Sequence, residues 1–320
     1  MNAPEFWWRA RPGWQSWLLA PFGALYAAVT ARRMARAGWR APVPVICCGN
    51  PTVGGSGKTT LALEIGARLL ARGRRPAFLI RGYGGRQRQP VRAAGQTAAQ
   101  IGDEALLLAN CAPTYVGADR AATAKLAIAD GANVLVLDDG LQNPSLAKDF
   151  TFLVVDGAAG FGNGCPIPAG PLREALPAAI ARCQMAVLIG PDRTGVTARL
   201  GGLPVLIAGL QSDTDLIGRK LYAFAGIGRP GKFGETLTAA GANVVRLQAF
   251  PDHHPYSDAD LGKVLAEADR LGGAAVTTPK DATRLPTQFR DRVEIIGVHL
   301  AWADPDAIEA ALTRALGERA

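Results

Sequence analysis

The sequence predicts an α/β protein: a wound parallel sheet with a phosphate-binding loop on its first strand, an N-terminal apolar helix, and a second, smaller α/β unit. Three observations carry this. From residue 43 onward, short apolar runs bounded by Gly and Pro alternate with helical patterns, as strands buried on both faces do. A glycine loop at residues 49–60, "GNPTVGGSGKTT", joins the first of those strands to a helix. Residues 14–31, "WQSWLLAPFGALYAAVTA", carry no charge at all.

The chain's 320 residues suffice for about two domains, and 48 % hydrophobic composition supports a sizeable core rather than disorder. The apolar segment comes first. Trp7, Trp8, Trp14 and Trp17 lie in or just before it, and Arg32, Arg33, Arg36 and Arg40 follow. Aromatic anchors with a trailing arginine cluster suit a helix lying in or dipping into a membrane surface. A signal peptide fits badly, because tryptophans precede the run and arginines follow it. A full span is marginal, since Pro21 and Gly23 interrupt a run that is already short. An ordinary helix packed on the core is the alternative.

Strands are expected at residues 43–48, 76–80, 133–137, 150–155, 185–189 and 205–208, with helices at 58–72, 104–109 and 120–130. Around residues 213–220 the chain crosses to the second unit. Its strands are expected at 221–225, 243–248, 274–278 and 293–297, with a helix at 258–271. The organisation is therefore a membrane-associating helical segment (residues 1–40), a phosphate-loop core (41–215) and a smaller α/β lid (216–320).

The net charge of +8 is uneven: residues 1–92 hold 15 Lys and Arg against only Glu5 and Glu64. A basic N-terminal region suits an anionic membrane surface, a phosphorylated substrate or nucleic acid. No RNA-binding motif, zinc finger or aromatic platform accompanies it, so nucleic acid is not an expected partner. The five cysteines are an odd number without a CxxC, which argues against a disulfide framework or a zinc site and for a reducing compartment. Cys47 and Cys48 fall in an expected buried strand and read as core thiols.

In the glycine loop, Thr52, Val53, Gly54, Gly55, Ser56, Gly57, Lys58 and Thr59 form the phosphate cradle. The glycines let backbone N–H groups turn inward, and the following helix adds its positive end. Lys58 is expected at the β and γ phosphates and Thr59 at Mg²⁺. Thr52 stands where the usual pattern begins with Gly. An apolar strand ending in Asp138-Asp139-Gly140 supplies the other half of such a site, with carboxylates at the C-terminal end of a parallel strand. The core is thus P-loop NTPase-like. No Asn-Lys-x-Asp guanine reader occurs, and Val53 occupies the position of the deviant dimeric ATPases' signature lysine. An ATP-dependent phosphotransferase is the resulting expectation.

Four segments are candidates for the acceptor side. Asp103 and Glu104 in "IGDEALLLA" suit either catalysis or a helix start, where acidic residues favour the dipole. "AFPDHHPYS" places His253 and His254 beside Asp252, a setting for general-base chemistry on a hydroxyl or for a solvated loop. Arg81 and Tyr83 in "LIRGYGGRQRQPVR" suit phosphate or sugar contacts. In "PIPAGPLREAL", Arg173 suits a phosphate clamp and Glu174 the metal, although Glu174 also suits a helix start.

Taken together, these segments resemble the tetraacyldisaccharide 4'-kinases, the lipid A 4'-kinases of Gram-negative bacteria. The resemblance rests on "GNPTVGGSGKT", "RGYGG", "GDE", "DDGLQN", "PAGPLRE", "GIGRPGKF", "FPDHH" and "TTPKDATRL" in that order. The Thr52 start is itself similar to the family's loop. Asn143 stands where many members have His, Thr60 where Pro is frequent, and Ile80 where Ser often precedes Arg-Gly-Tyr. The resemblance implies ATP and Mg²⁺ as cofactors and transfer of the γ-phosphoryl group to the 4'-hydroxyl of a tetraacylated glucosamine disaccharide 1-phosphate, giving lipid IVA. It also implies Asp103 and His253 as the catalytic pair beside Lys58, with Thr59, Asp138, Asp139 and Glu174 toward the metal and Arg81, Tyr83 and Arg173 toward substrate. The implied location is the cytoplasmic face of the inner membrane, peripheral or monotopic, with no obligate protein partner. The competing expectations are a kinase of a soluble metabolite and a nucleotide-dependent membrane switch that phosphorylates nothing.

Overall fold

The computed structural model describes residues 3–318, so the outermost residues of the first and last expected units lie outside the described residues. Thirteen strands occur among them: β1 (Val45–Gly49), β2 (Pro76–Ile80), β3 (Val91–Arg92), β4 (Thr114–Val116), β5 (Val134–Asp138), β6 (Phe150–Asp156), β7 (Met185–Ile189), β8 (Val205–Ser212), β9 (Lys220–Ala225), β10 (Asn243–Ala249), β11 (Ala274–Thr277), β12 (Glu294–Ile295) and β13 (Val298–Trp302). Nine of them form one sheet in the order β13-β8-β7-β6-β1-β5-β2-β4-β3, and four form a second in the order β10-β9-β11-β12.

The large sheet is parallel except at its edges, where β3 runs antiparallel to β4 and β13 to β8. Its central strands are buried along their whole length, which is why they read as unbroken apolar runs. One face packs against helix α2 (Lys58–Ala71) through Leu61, Ile65 and Leu69, which meet Ile46, Phe78 and Phe152. Each such side chain contributes about 1.5–3 kcal/mol when fully buried. The Cys48 thiol lies in this core and that of Cys47 in the core on the opposite face of the sheet, where burial pushes it up to about 11, as inert core thiols require.

The second sheet is wholly parallel, and with the helices Pro230–Ala239 and Asp258–Leu271 it forms a separate small core around Tyr222, Phe224, Leu237, Leu261 and Val264. This unit ends earlier than residue 320. Strand β13 returns to the large sheet, and the helix Pro305–Ala315 buries Ile308 and Leu312 in the large core. Charge pairing fixes that return: Glu309 meets Arg68 on α2 and Arg72 just after it, and the Trp302 indole N–H donates to Glu64 at 3.1 Å. A short apolar strand looks the same in either sheet, so the return is carried by these long-range pairs rather than by local pattern. The expected strand at 293–297 is only the two-residue β12, and β13 follows immediately after it.

Helix α1 (Trp14–Met34) buries only Ser16, Gly23 and Thr30, one stripe of small residues at seven-residue spacing. Gly23 is needed there, because a Cβ would lie 3.0 Å from the Pro166 carbonyl oxygen. Asn163 donates to the Ser16 hydroxyl at 2.9 Å. The other faces leave Trp14, Trp17, Leu18, Phe22, Leu25 and Val29 each more than 60 % exposed. No described helix is long and apolar enough to cross a membrane.

Candidate active site

Loop and sheet meet at the C-terminal end of β1. The Asn50 side-chain oxygen accepts from both the backbone N–H and the hydroxyl of Thr52, the latter at 2.5 Å, while Asn50 Nδ2 donates to the Val154 carbonyl at 2.7 Å. Thr52 therefore anchors the loop's exit from the strand, a task that glycine lacks the hydroxyl for. Val53 N–H donates to the Pro171 carbonyl at 2.9 Å and Arg173 N–H to the Pro51 carbonyl at 2.6 Å, so the Pro-rich segment is zipped onto the loop. Gly57 turns at φ +92°, and a Cβ there would meet Ile189 at 2.6 Å; only glycine satisfies both conditions before the helix starts at Lys58.

Residues 52–59 all line one large cleft of about 2260 Å³. Thr59 donates its hydroxyl proton to Asp138 Oδ2 at 2.8 Å. The other oxygen of Asp138, Oδ1, is buried without a hydrogen-bond partner. Burial, with the charge of Glu104, pushes Asp138 up to about 7 despite the hydroxyl and Lys58. Lys58 Nζ lies 3.6 Å from Asp139 Oδ1, and Arg173 Nη1 donates to both Asp139 oxygens at 2.9 and 2.8 Å. Burial acts to raise Asp139, but Lys58 and Arg173 outweigh it and hold the carboxyl below its usual range.

Arg173 thus lines the cleft but is engaged with a carboxylate. Glu174 does not join it. Its carboxylate is buried and taken by Gln142 Nε2 at 2.9 Å and Arg182 at 2.5 Å, and it does not line the cleft. The expectation that it meets the metal is corrected: the side chain follows the helix start inward, to a cation of its own segment. Among the described residues no group of three or more His, Cys, Asp or Glu side chains is arranged to hold a metal. The available donors are the hydroxyl of Thr59 and the orphan oxygen of Asp138, hard oxygens that fit a cation completing its shell with phosphate and water.

The second unit closes the other side of the cleft. Asp103 begins the helix Asp103–Ala109 after Gly102, and its Oδ1 accepts from the Glu104 N–H at 2.9 Å. His253, at φ +59° in the turn after β10, places Nδ1 3.1 and 3.0 Å from the two oxygens of Asp103. Burial works to raise Asp103, yet His253, Lys280 and Arg284 together bring it below its ordinary value. The bond to Asp103 conversely raises His253. His254 is turned away: it stacks on Phe250 with ring centres 4.8 Å apart and meets Asp260 Oδ2 at 3.1 Å. The exposed Tyr83 ring lies 5.7 Å from that of His253, and Arg81 lines the same cleft.

The match to known proteins is of the same extent as the fold. A family model described as Tetraacyldisaccharide-1-P 4'-kinase matches residues 15–317. The chain belongs to the tetraacyldisaccharide 4'-kinase family. A tetraacyldisaccharide 4'-kinase of Gluconacetobacter diazotrophicus is 54 % identical over 318 residues, spanning 98 % of this chain and 97 % of the relative. One of Rhodospirillum rubrum is 48 % identical over 325 residues, spanning 98 % of each. Among solved structures, the "apo" form of LpxK from Aquifex aeolicus in complex with ATP superposes with a TM-score of 0.77 at 26 % identity, covering 94 % of this chain and 99 % of that one.

Several charged residues in and beside this cleft carry no distinct signal in the sequence. Lys280 Nζ reaches Glu104 at 3.1 Å and Asp252 at 3.6 Å. Arg284 Nε lies 3.4 Å from Asp103 Oδ2. Across the cleft, Asp156 at the end of β6 takes both Arg229 and Lys232 of the second unit at 2.8 Å. The available signal is the alternating charge of "TTPKDATRL" and the paired cations of "GIGRPGKF", which carry no information about the partner each charge meets.

Proposed function

We propose that this chain is an ATP-dependent phosphotransferase that phosphorylates the 4'-hydroxyl of tetraacyldisaccharide 1-phosphate, forming lipid IVA in lipid A biosynthesis. Membership of the tetraacyldisaccharide 4'-kinase family supports the activity. One observation carries the mechanism: Asp103 and His253, from different units, meet in the cleft that the phosphate loop lines.

The loop amides from Thr52 to Thr59 and the N-terminal end of α2 receive the ATP phosphates, and Lys58 leaves Asp139 for the β and γ phosphates. Thr59 and Asp138 would hold Mg²⁺, with Asp139 beside them; the ion supplies neutralisation of charge spread over the transferring group. The Asp103–His253 pair orients the sugar hydroxyl and takes its proton as a coupled unit. Asp103 is well suited to this, being buried and ionised with His253 fixed on it. Arg81 and Tyr83 face the acceptor, and Arg173, which pairs with Asp139 in the cleft, would meet a phosphate group.

The same reading gives residues 1–40 to membrane docking, the large sheet to nucleotide and the second sheet to a lid that carries His253. A substrate with four acyl chains does not leave a bilayer readily, so the enzyme reaches it at the surface. The outward row of Trp14, Trp17, Leu18, Phe22, Leu25 and Val29, followed by Arg32 and Arg33, suits insertion into the cytoplasmic leaflet of the inner membrane. The test is incubation of the folded protein with ATP radiolabelled in its γ phosphate, Mg²⁺ and tetraacyldisaccharide 1-phosphate in mixed micelles. A labelled lipid is expected; labelling only of water-soluble acceptors would point instead to a kinase of soluble metabolites.

A further inference from the structure

Asp281 is buried, the Arg284 side chain is only 8 % exposed, and both lie beside the turn that carries His253. Asp281 Oδ1 accepts from the Gly226 N–H at 2.9 Å and the Tyr256 hydroxyl at 2.8 Å, and its Oδ2 from the Thr278 hydroxyl at 2.6 Å. Arg284 Nη2 donates to Asp281 Oδ1 at 2.5 Å and to the Gly226 carbonyl at 3.0 Å, while Nη1 donates to the His254 carbonyl at 3.2 Å. The Gly226 carbonyl is also the acceptor of the His253 N–H, at 3.0 Å. The guanidinium therefore holds both the carbonyl that follows His253 and the one its N–H bonds to, around a residue in the left-handed region at φ +59°, which non-glycine residues adopt infrequently. Nε makes no hydrogen bond and faces Asp103 Oδ2 at 3.4 Å.

We propose that Arg284, seated on Asp281, is the positioning residue of the Asp103–His253 pair: its fork fixes the backbone that presents His253, and its Nε sets a positive charge against Asp103. This rests on the reading of that pair as the acceptor-activating group. A planar fork suits the task because three acceptors in different directions must be met at once, which a lysine ammonium on a flexible stem does not do. The charged groups around the pair are few. Asp103 faces His253, Arg284 and Lys280, with Glu104 adjacent. His253 faces Asp103, Asp252 and Lys280. Lys280 is shared between Glu104 and Asp252, and Arg284 between Asp281 and Asp103. Removing the Arg284 charge leaves Asp103 with one cation fewer, so the pair holds its proton more tightly and becomes competent only at higher pH.

The test is the pH profile of kcat/KM for lipid phosphorylation in Arg284→Gln and Arg284→Lys, with ATP affinity as the check on folding. For Gln, kcat is expected to fall about 10- to 100-fold with ATP affinity retained, a loss in the range of misplaced general-base groups. Its acidic limb should move up by roughly half to one pH unit, less than a fully unshared charge would give because Asp281 partly neutralises Arg284. For Lys, the limb should return to the wild-type position while kcat stays reduced. An unmoved limb in the Gln variant, or wild-type kcat in either variant, overturns the proposal. If the Gln variant does not fold, the Lys variant decides by the same criterion on kcat. Asp103→Asn is measured alongside: if it retains turnover, the reading of the catalytic pair fails. If it is inactive while the Arg284→Gln limb is unmoved, only the positioning role fails.

Discussion

His253 Nδ1 lies within 3.1 Å of both carboxylate oxygens of Asp103, although 150 residues separate them and each belongs to a different sheet's unit. The contact joins the two halves of the cleft at the point farthest from any local sequence pattern. It has a direct consequence for pH. The pair accepts a proton only when it carries none to spare, and the bond to Asp103 raises His253 above its ordinary value near 6.5. Activity should therefore rise with pH through an apparent pKa somewhat above that value. In His253→Gln, the limb should disappear from the neutral range while kcat falls about 100-fold or more. A wild-type profile in that variant would remove His253 from the chemistry.

Lys58 is buried and pairs with Asp139 rather than with solvent. Lys58→Ala leaves Asp139 with Arg173 as partner, so the fold should survive while the phosphates lose their principal cation. Productive ATP binding is expected to weaken by about 100-fold or more, consistent with losing a charge-assisted contact of roughly 3 kcal/mol. Calorimetric titration with ATP checks this, and unchanged affinity would contradict the placement of the β and γ phosphates.

Asp156 ties the two units together through Arg229 and Lys232, and its own side chain is only 5 % exposed. Asp156→Asn leaves two cations facing a neutral group. A loss of about 1–3 kcal/mol in unfolding free energy is expected, the range for an uncompensated buried polar partner. Because Arg229 and Lys232 are partly solvated, charge screening places the effect toward the lower end. Denaturant titration of Asp156→Asn against Arg229→Ala/Lys232→Ala measures it. Additive losses in the triple variant would show that the three groups do not act together.

Much of this architecture was readable because it is local. The buried central strands announce themselves as apolar runs, and the glycine loop fixes both its own turn and the helix that follows. Asp103 and His253 are readable locally only as residue types suited to their chemistry; their pairing is implied by the family resemblance and by no local pattern. What escaped the sequence is pairing at a distance. Glu174 suits the metal or a helix start by residue type alone, and Gln142 and Arg182 take its oxygens. Residues 298–318 fall within the expected lid, but Glu309 with Arg68 and Arg72, and Trp302 with Glu64, return them to the first unit. The Arg284–Asp281 ion pair is buried and has no local signature.

Helix α1 supplies a prediction about location. Leu18, Phe22 and Leu25 are each more than 60 % exposed on the side away from Ser16, Gly23 and Thr30. Changing all three to Ser should leave folding intact, because none contributes to the buried core. Binding to anionic vesicles should weaken by at least about 100-fold, since each apolar side chain contributes up to about 1.5–3 kcal/mol when removed from water. Undiminished co-sedimentation with vesicles would refute docking through this face.

The most direct test of the central claim is single-turnover transfer from γ-labelled ATP to tetraacyldisaccharide 1-phosphate by the wild type and Asp103→Asn, with ATP affinity measured on the same samples. The substitution keeps volume and removes the charge that His253 and Arg284 meet. Transfer by the variant should slow by about 100- to 10,000-fold with ATP binding near normal, the range for loss of a positioned general base. Wild-type transfer by Asp103→Asn, with ATP bound as tightly, would contradict the account.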